Sequence, residues 1–87
     1  MEHNCLKSAE TAIAKDRDYG HPFVNFSRQA AMWSAILGIT VTPEQVGLCM
    51  IAVKISRHVH TPNQDNLVDI AGYARAVEMI HEYKGEL

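Results

Sequence analysis

The sequence predicts an all-α fold, a compact four-helix bundle-like domain in one unit spanning residues 1–87. Three observations carry that expectation. Apolar residues recur at spacings of three and four through four separate stretches, the periodicity of a helix with one buried stripe. The segments between them are short and hold Gly, Pro, Asn or Thr, so neighbouring helices should run mostly antiparallel. The β-branched run Ile39-Thr40-Val41-Thr42 is too brief for a sheet and reads as a connector.

The first helix is expected over about residues 3–17, where Leu6, Ala9 and Ile13, joined by Cys5 and Ala12, make one stripe. Gly20 then supplies a stop, and Pro22 can open the next helix at its first position. The second helix is expected over residues 22–37, with Phe26, Ala30, Trp33 and Leu37 on its buried face and Gly38 ending it. The third has the clearest start. Thr42-Pro43-Glu44-Gln45 combines an N-cap hydroxyl, proline in the first turn, an acid and a Gln three residues on, which is a capping box. It should run over 43–58. Because it is apolar almost all round, it is expected to be the central helix, with Gly47 allowing close approach of a neighbour. After "HVHTPNQDN" a fourth helix is expected over about 63–84, its inner face formed by Leu67, Ile70, Ala71, Ala74, Val77 and Ile80.

A chain of 87 residues buries one modest core. A hydrophobic share of 47% exceeds what such a core uses, so a homo-oligomer is expected. The net charge of −2 lacks the basic footprint of a duplex nucleic acid binder. Cys5 and Cys49 have no CxxC spacing and sit in apolar contexts, which reads as small core residues in a reducing compartment. The start of the chain has no leader pattern, and the longest apolar stretch, near Val46 to Ile55, is too short to span a bilayer. The expectation is a cytoplasmic protein with no membrane partner.

Two polar groups exceed what a plain bundle needs. A hairpin turning near residues 61–62 sets Lys54 opposite Asp69, Arg57 opposite Asp65 and Asn66, and Met50 opposite Tyr73. Lys54 and Arg57 share one face of their helix; Asp65, Asp69 and Tyr73 share one face of the next. The plain reading is a pair of ion pairs locking the hairpin, worth ~0–1 kcal/mol each if exposed. The functional reading is an anion site, because desolvating such a set costs several kcal/mol and is hard to justify for stability alone. The second group surrounds the Gly20–Pro22 break: Arg17 for phosphate, Tyr19 for stacking or hydroxyl bonding, and His21 and Asn25 as polar contacts. Its plain reading is a solvated helix end, and Arg28 reads as a surface residue. The histidines (His3, His21, His58, His60 and His81) form no HExxH or i,i+4 pair, so no metal site is expected. No serine or cysteine stands in a nucleophile-elbow context.

Taken together, "DRDYGHPFVNF", "KISR" and "DNLVDIAGYA" resemble a family of short, uncharacterised helical proteins encoded mainly by bacteriophages and prophages, over roughly residues 9 to 83. That resemblance implies a phage protein and carries no activity with it. The chain is also distantly similar to the MazG-type all-α nucleoside triphosphate pyrophosphohydrolases, which hold Mg²⁺ with an ExxE pair on one helix and an ExxD pair on the next. Asp65 and Asp69 resemble the later acidic helix, at a spacing of four. The earlier acidic pair is replaced by Lys54 and Arg57. Two aspartates beside two cations make a poor Mg²⁺ cage, whereas the cations can neutralise phosphate without metal.

The reading ranked first is therefore a cofactor-free protein that binds a nucleotide or nucleotide-derived phosphorylated ligand through Arg17, Tyr19, His21, Asn25, Lys54, Arg57, Asp65, Asp69 and Tyr73. For a phage-type chain, the matching use is sequestration of a host immune signalling nucleotide. The alternative is a Mg²⁺-dependent pyrophosphohydrolase with Asp65 and Asp69 catalytic, helped by Glu10 or Glu78. The second alternative is a protein-interaction module.

Overall fold

The computed structural model describes residues 21–85. Among these residues the chain forms three helices and no strand: α1 (Pro22–Leu37), α2 (Pro43–His60) and α3 (Gln64–Glu82). The helix expected over about 3–17, and with it Cys5, Glu10, Arg17 and Tyr19, lies outside the described residues. The expected bounds of α1 hold at both ends. Helix α2 runs two residues past the expected His58, and α3 is shorter at both ends than 63–84. In each case the cap decides: Asn63 stays extended and caps α3 from outside, and Tyr83 is already extended.

Each helix starts on a side-chain acceptor. His21, in extended conformation, caps α1: its Nδ1 accepts the Phe23 N–H at 3.0 Å, with Pro22 following. For α2, Gln45 N–H donates to Thr42 Oγ1 at 3.2 Å and Thr42 N–H donates to Gln45 Oε1 at 2.9 Å, the capping box legible in the sequence. Asn63 Oδ1 accepts the Asp65 N–H at 2.8 Å to open α3. Helix α1 ends at Gly38, whose φ of 72° suits glycine, and its N–H donates to Ser34 O at 2.9 Å. The connector then folds back onto α1, with Val41 N–H donating to Ser34 Oγ at 2.8 Å.

Helices α2 and α3 form an antiparallel hairpin, and α1 packs across its open end. The buried core is Phe26, Ala30, Val46, Ala76 and Ile80, flanked by Phe23, Trp33, Val41 and Tyr73. Every buried residue of α2 and α3 thus comes from the start of α2 or the end of α3. Gly47 makes this crossing possible. A Cβ there would lie 2.5 Å from Val77 Cγ2 and 3.2 Å from Phe26 Cε2. Phe23 stacks on Tyr83 with ring centroids 4.0 Å apart, which ties the start of α1 to the end of α3.

The core location corrects several expectations. Leu37 is 59% exposed, because the last turn of α1 runs past the hairpin. Leu67 and Ala74 are exposed and Ala76 is buried instead. Leu67 lies near the hairpin turn, beyond the core, and Ala74 is about 200° around the helix from Ala76. Cys49 is exposed, not a core residue. Among the described residues α2 is not a central helix enclosed on all sides; Leu48, Val53, Ile55 and Val59 are exposed. No described helix is long and apolar enough to cross a membrane.

Candidate functional site

The seam between α2 and α3 holds one of the two expected ion pairs. Lys54 Nζ lies 3.1 Å from Asp69 Oδ2. The burial is uneven: the lysine side chain is 14% exposed and the aspartate 43%. Lys54 therefore lays its methylene stem along the hairpin and brings its ammonium out to a carboxylate in contact with water. The lysine carries three donors, and one suffices for Asp69.

The second expected pair does not form. Arg57 and Asp65 are both exposed, and no ion pair joins them. They sit at the hairpin turn, where water solvates each charge and an ion pair gains only ~0–1 kcal/mol against the side-chain entropy it removes. Instead, Asp65 uses its backbone N–H on the Asn63 cap, while Asn66 is half-buried across from Arg57. Arg57 thus has no carboxylate partner among the described residues. Its neighbour His58 is half-buried, its Nδ1 accepting the Asn63 N–H at 3.2 Å across the turn.

Of the residues around the Gly20–Pro22 break, the described ones, His21 and Asn25, stand elsewhere. His21 is spent on the α1 cap, and its ring tilts against Tyr83 at a centroid distance of 5.6 Å. Tyr83 follows Asp69 by fourteen residues, so about 20 Å of helix rise separates His21's neighbour from the seam. His21 and Lys54 are therefore not walls of one pocket. Asn25 is half-buried on α1 and makes no side-chain hydrogen bond among the described residues. Tyr73, one turn past Asp69, is half-buried at the core edge, its ring 6.1 Å from that of Phe26.

The acidic residues do not gather for a cation. Asp69 is engaged by Lys54, Asp65 is exposed, and Glu78 Oε1 accepts from Arg75 Nη1 at 2.6 Å. Among the described residues no group of three or more His, Cys, Asp or Glu could hold a metal ion. This donor set does not fit Mg²⁺, which needs hard oxygen ligands converging in near-octahedral geometry.

One surface network escaped the sequence reading. Arg75 pairs with Glu78 and, at 3.5 Å, with Glu82 on the exposed face of α3. The hydrogen bond that Arg75 donates to Glu78 leads in raising the arginine's pKa above its ordinary value. The i,i+3,i+7 spacing was the available signal. His81 Nδ1 lies 3.5 Å from Glu44, linking the end of α3 to the start of α2.

Comparison with known proteins adds a family and phage relatives. The family described as a domain of unknown function, DUF6378, matches residues 4–81. The chain is 43% identical over 77 residues to the Gene 55 protein of Mycobacterium phage L5, covering 84% of this chain and 49% of that protein. It is 35% identical over 85 residues to the Gene 55 protein of Mycobacterium phage D29, covering 94% of this chain and 56% of that protein. The chain thus spans about half the length of the curated relatives it matches. No solved structure matches it.

Proposed function

For this chain, which belongs to the DUF6378 family, we propose a binding role: it holds a nucleotide or nucleotide-derived phosphorylated ligand on the seam between α2 and α3. The observation that carries the reading is a shielded lysine one turn from an arginine that has no carboxylate partner among the described residues. Lys54 is held in place by the hairpin, and Arg57 stands three residues on. An ammonium with spare donors beside a planar guanidinium fork matches the oxygens of a phosphate, and hydrogen bonds charged on both sides are the strong ones. Asp69 holds the lysine in place while the site is empty, and Asn66 and Tyr73 flank the seam on α3.

Two finer statements belong to this reading. The four-helix count, with a further helix over about residues 3–17, belongs to this proposal, and that stretch lies outside the described residues. The phage relatives make sequestration of a host signalling nucleotide, in the host cytoplasm, the matching biological use. Sequestration needs tight binding without turnover, and the engagement of Asp69 by Lys54 supports that side of the reading.

The test is equilibrium binding of a panel of linear and cyclic nucleotides to the full chain, with and without Mg²⁺. Saturable binding that is lost in Lys54→Met supports the proposal. Mg²⁺-dependent pyrophosphate release would replace it with the MazG-like pyrophosphohydrolase reading. No binding by any nucleotide would leave the seam as a hairpin lock and the chain as an interaction module.

A further inference from the structure

The two halves of the Lys54–Asp69 pair differ in freedom. The lysine side chain is 14% exposed and laid along the hairpin, so its ammonium is confined to one place. The aspartate side chain is 43% exposed and stands in contact with water. The two meet at 3.1 Å, Nζ to Oδ2. Because the hairpin covers most of the lysine, the open approach to its nitrogen lies on the side where the carboxylate stands. An anion arriving from solvent therefore meets Asp69 as it reaches Lys54.

The carboxylate is a weak holder of that ammonium. A lysine–carboxylate pair in contact with water contributes little, so breaking it is cheap. The released carboxylate is acceptor-only and already hydrated, so it needs no new protein donor. A phosphate that replaces it gains the Lys54 ammonium and also the guanidinium of Arg57, three residues on, which has no carboxylate partner among the described residues. Phosphate thus wins the ammonium with two cations against the one that Asp69 holds. The contest still has a cost, because the Asp69 charge stays within a few ångströms of the bound phosphate and opposes it.

Resting on the binding role proposed above, we propose that Asp69 is an internal competitor of the ligand. It occupies the Lys54 ammonium while the seam is empty, gives it up when phosphate binds, and holds the affinity below what Lys54 and Arg57 alone would reach. The seam is therefore an autoinhibited anion site in which the lysine stays fixed and the aspartate moves aside.

The experiment has two arms, each on the full chain as wild type and as Asp69→Asn, with circular dichroism confirming the fold. In the first, lysine acetylation is followed residue by residue by mass spectrometry, once with a neutral N-hydroxysuccinimide ester and once with its sulfonated, anionic counterpart. The ratio of the two rates reports how readily an anion reaches a lysine, whatever that lysine's own reactivity. At Lys54 the anionic-to-neutral ratio should rise about threefold in Asp69→Asn, while at the exposed Lys84 it should not change. An unchanged ratio at Lys54 would overturn the proposal. In the second arm, the nucleotide panel and inorganic pyrophosphate are titrated by calorimetry. Binding should be roughly three- to tenfold tighter in Asp69→Asn than in wild type. Equal or weaker binding by Asp69→Asn would overturn the proposal and leave the binding role standing. No binding of any nucleotide by either chain would overturn the binding role, and the acetylation ratio would still decide whether Asp69 guards the lysine.

Discussion

Gly47→Ala is the sharpest test of how the helices cross. In an unconstrained helix interior, alanine is favoured over glycine by roughly 1 kcal/mol. Here the new methyl would stand 2.5 Å from Val77 Cγ2 and 3.2 Å from Phe26 Cε2, both closer than van der Waals contact allows. Val77 is β-branched and holds one strongly preferred rotamer in a helix, so it cannot swing aside freely. Phe26 is buried and blocks the other direction. Overpacking of this kind costs about 1–3 kcal/mol. A contact of 2.5 Å puts the cost in the upper part of that range, about 2–3 kcal/mol, and the propensity gain leaves a net loss of about 1–2 kcal/mol. For a domain of this size that lowers Tm by roughly 5–10 °C. The assay is urea unfolding followed by circular dichroism. The double variant Gly47→Ala/Val77→Ala serves as control, because removing the Val77 methyls relieves the contact. The double change should be milder than the sum of the two single ones by ~1 kcal/mol. A Gly47→Ala chain as stable as wild type, or more stable, would refute the close crossing.

Three further outcomes follow from the same geometry. In a Lys54→Met/Asp69→Asn cycle read by thermal melts, the coupling should be ~0–1 kcal/mol, since Asp69 is in contact with water; a coupling of several kcal/mol would make the pair a structural lock. Arg57→Ala should leave the urea midpoint within about 0.5 kcal/mol of wild type and weaken nucleotide binding, as measured by calorimetry; unchanged affinity would remove Arg57 from the site. His21→Ala should cost about 1 kcal/mol of stability through loss of the α1 cap. His21→Asn, whose oxygen can accept the same N–H, should recover most of it without altering ligand affinity.

Local chemistry was readable from the sequence, and long-range placement was not. Thr42, Pro43 and Gln45 announce the start of α2 because a capping box is a contact over three residues. Gly38 likewise marks the end of α1 by its left-handed turn. Lys54 opposite Asp69 follows from a short hairpin turn, which fixes register. What failed depends on which face meets which neighbour. Periodicity showed that α2 was apolar nearly all round, but a stripe looks the same whether it meets a core, a second copy or water. Leu37 and Leu67 were assigned to the core on spacing alone, and both lie beyond the point where α1 crosses the hairpin. His21 looked like a ligand residue because a histidine cap has no sequence signature distinct from a polar contact. Arg57 and Asp65 faced each other on paper, and at an exposed helix end facing does not produce an ion pair.

The central claim is that the seam holds a phosphorylated ligand and leaves it intact. The most direct measurement incubates the full chain with the nucleotide that binds best, in the presence of Mg²⁺, denatures the protein and identifies the released molecule by mass spectrometry. The account predicts unchanged nucleotide recovered in stoichiometric amount from wild type and none retained by Lys54→Met. Recovery of a monophosphate and pyrophosphate, or equal retention by Lys54→Met, would contradict it.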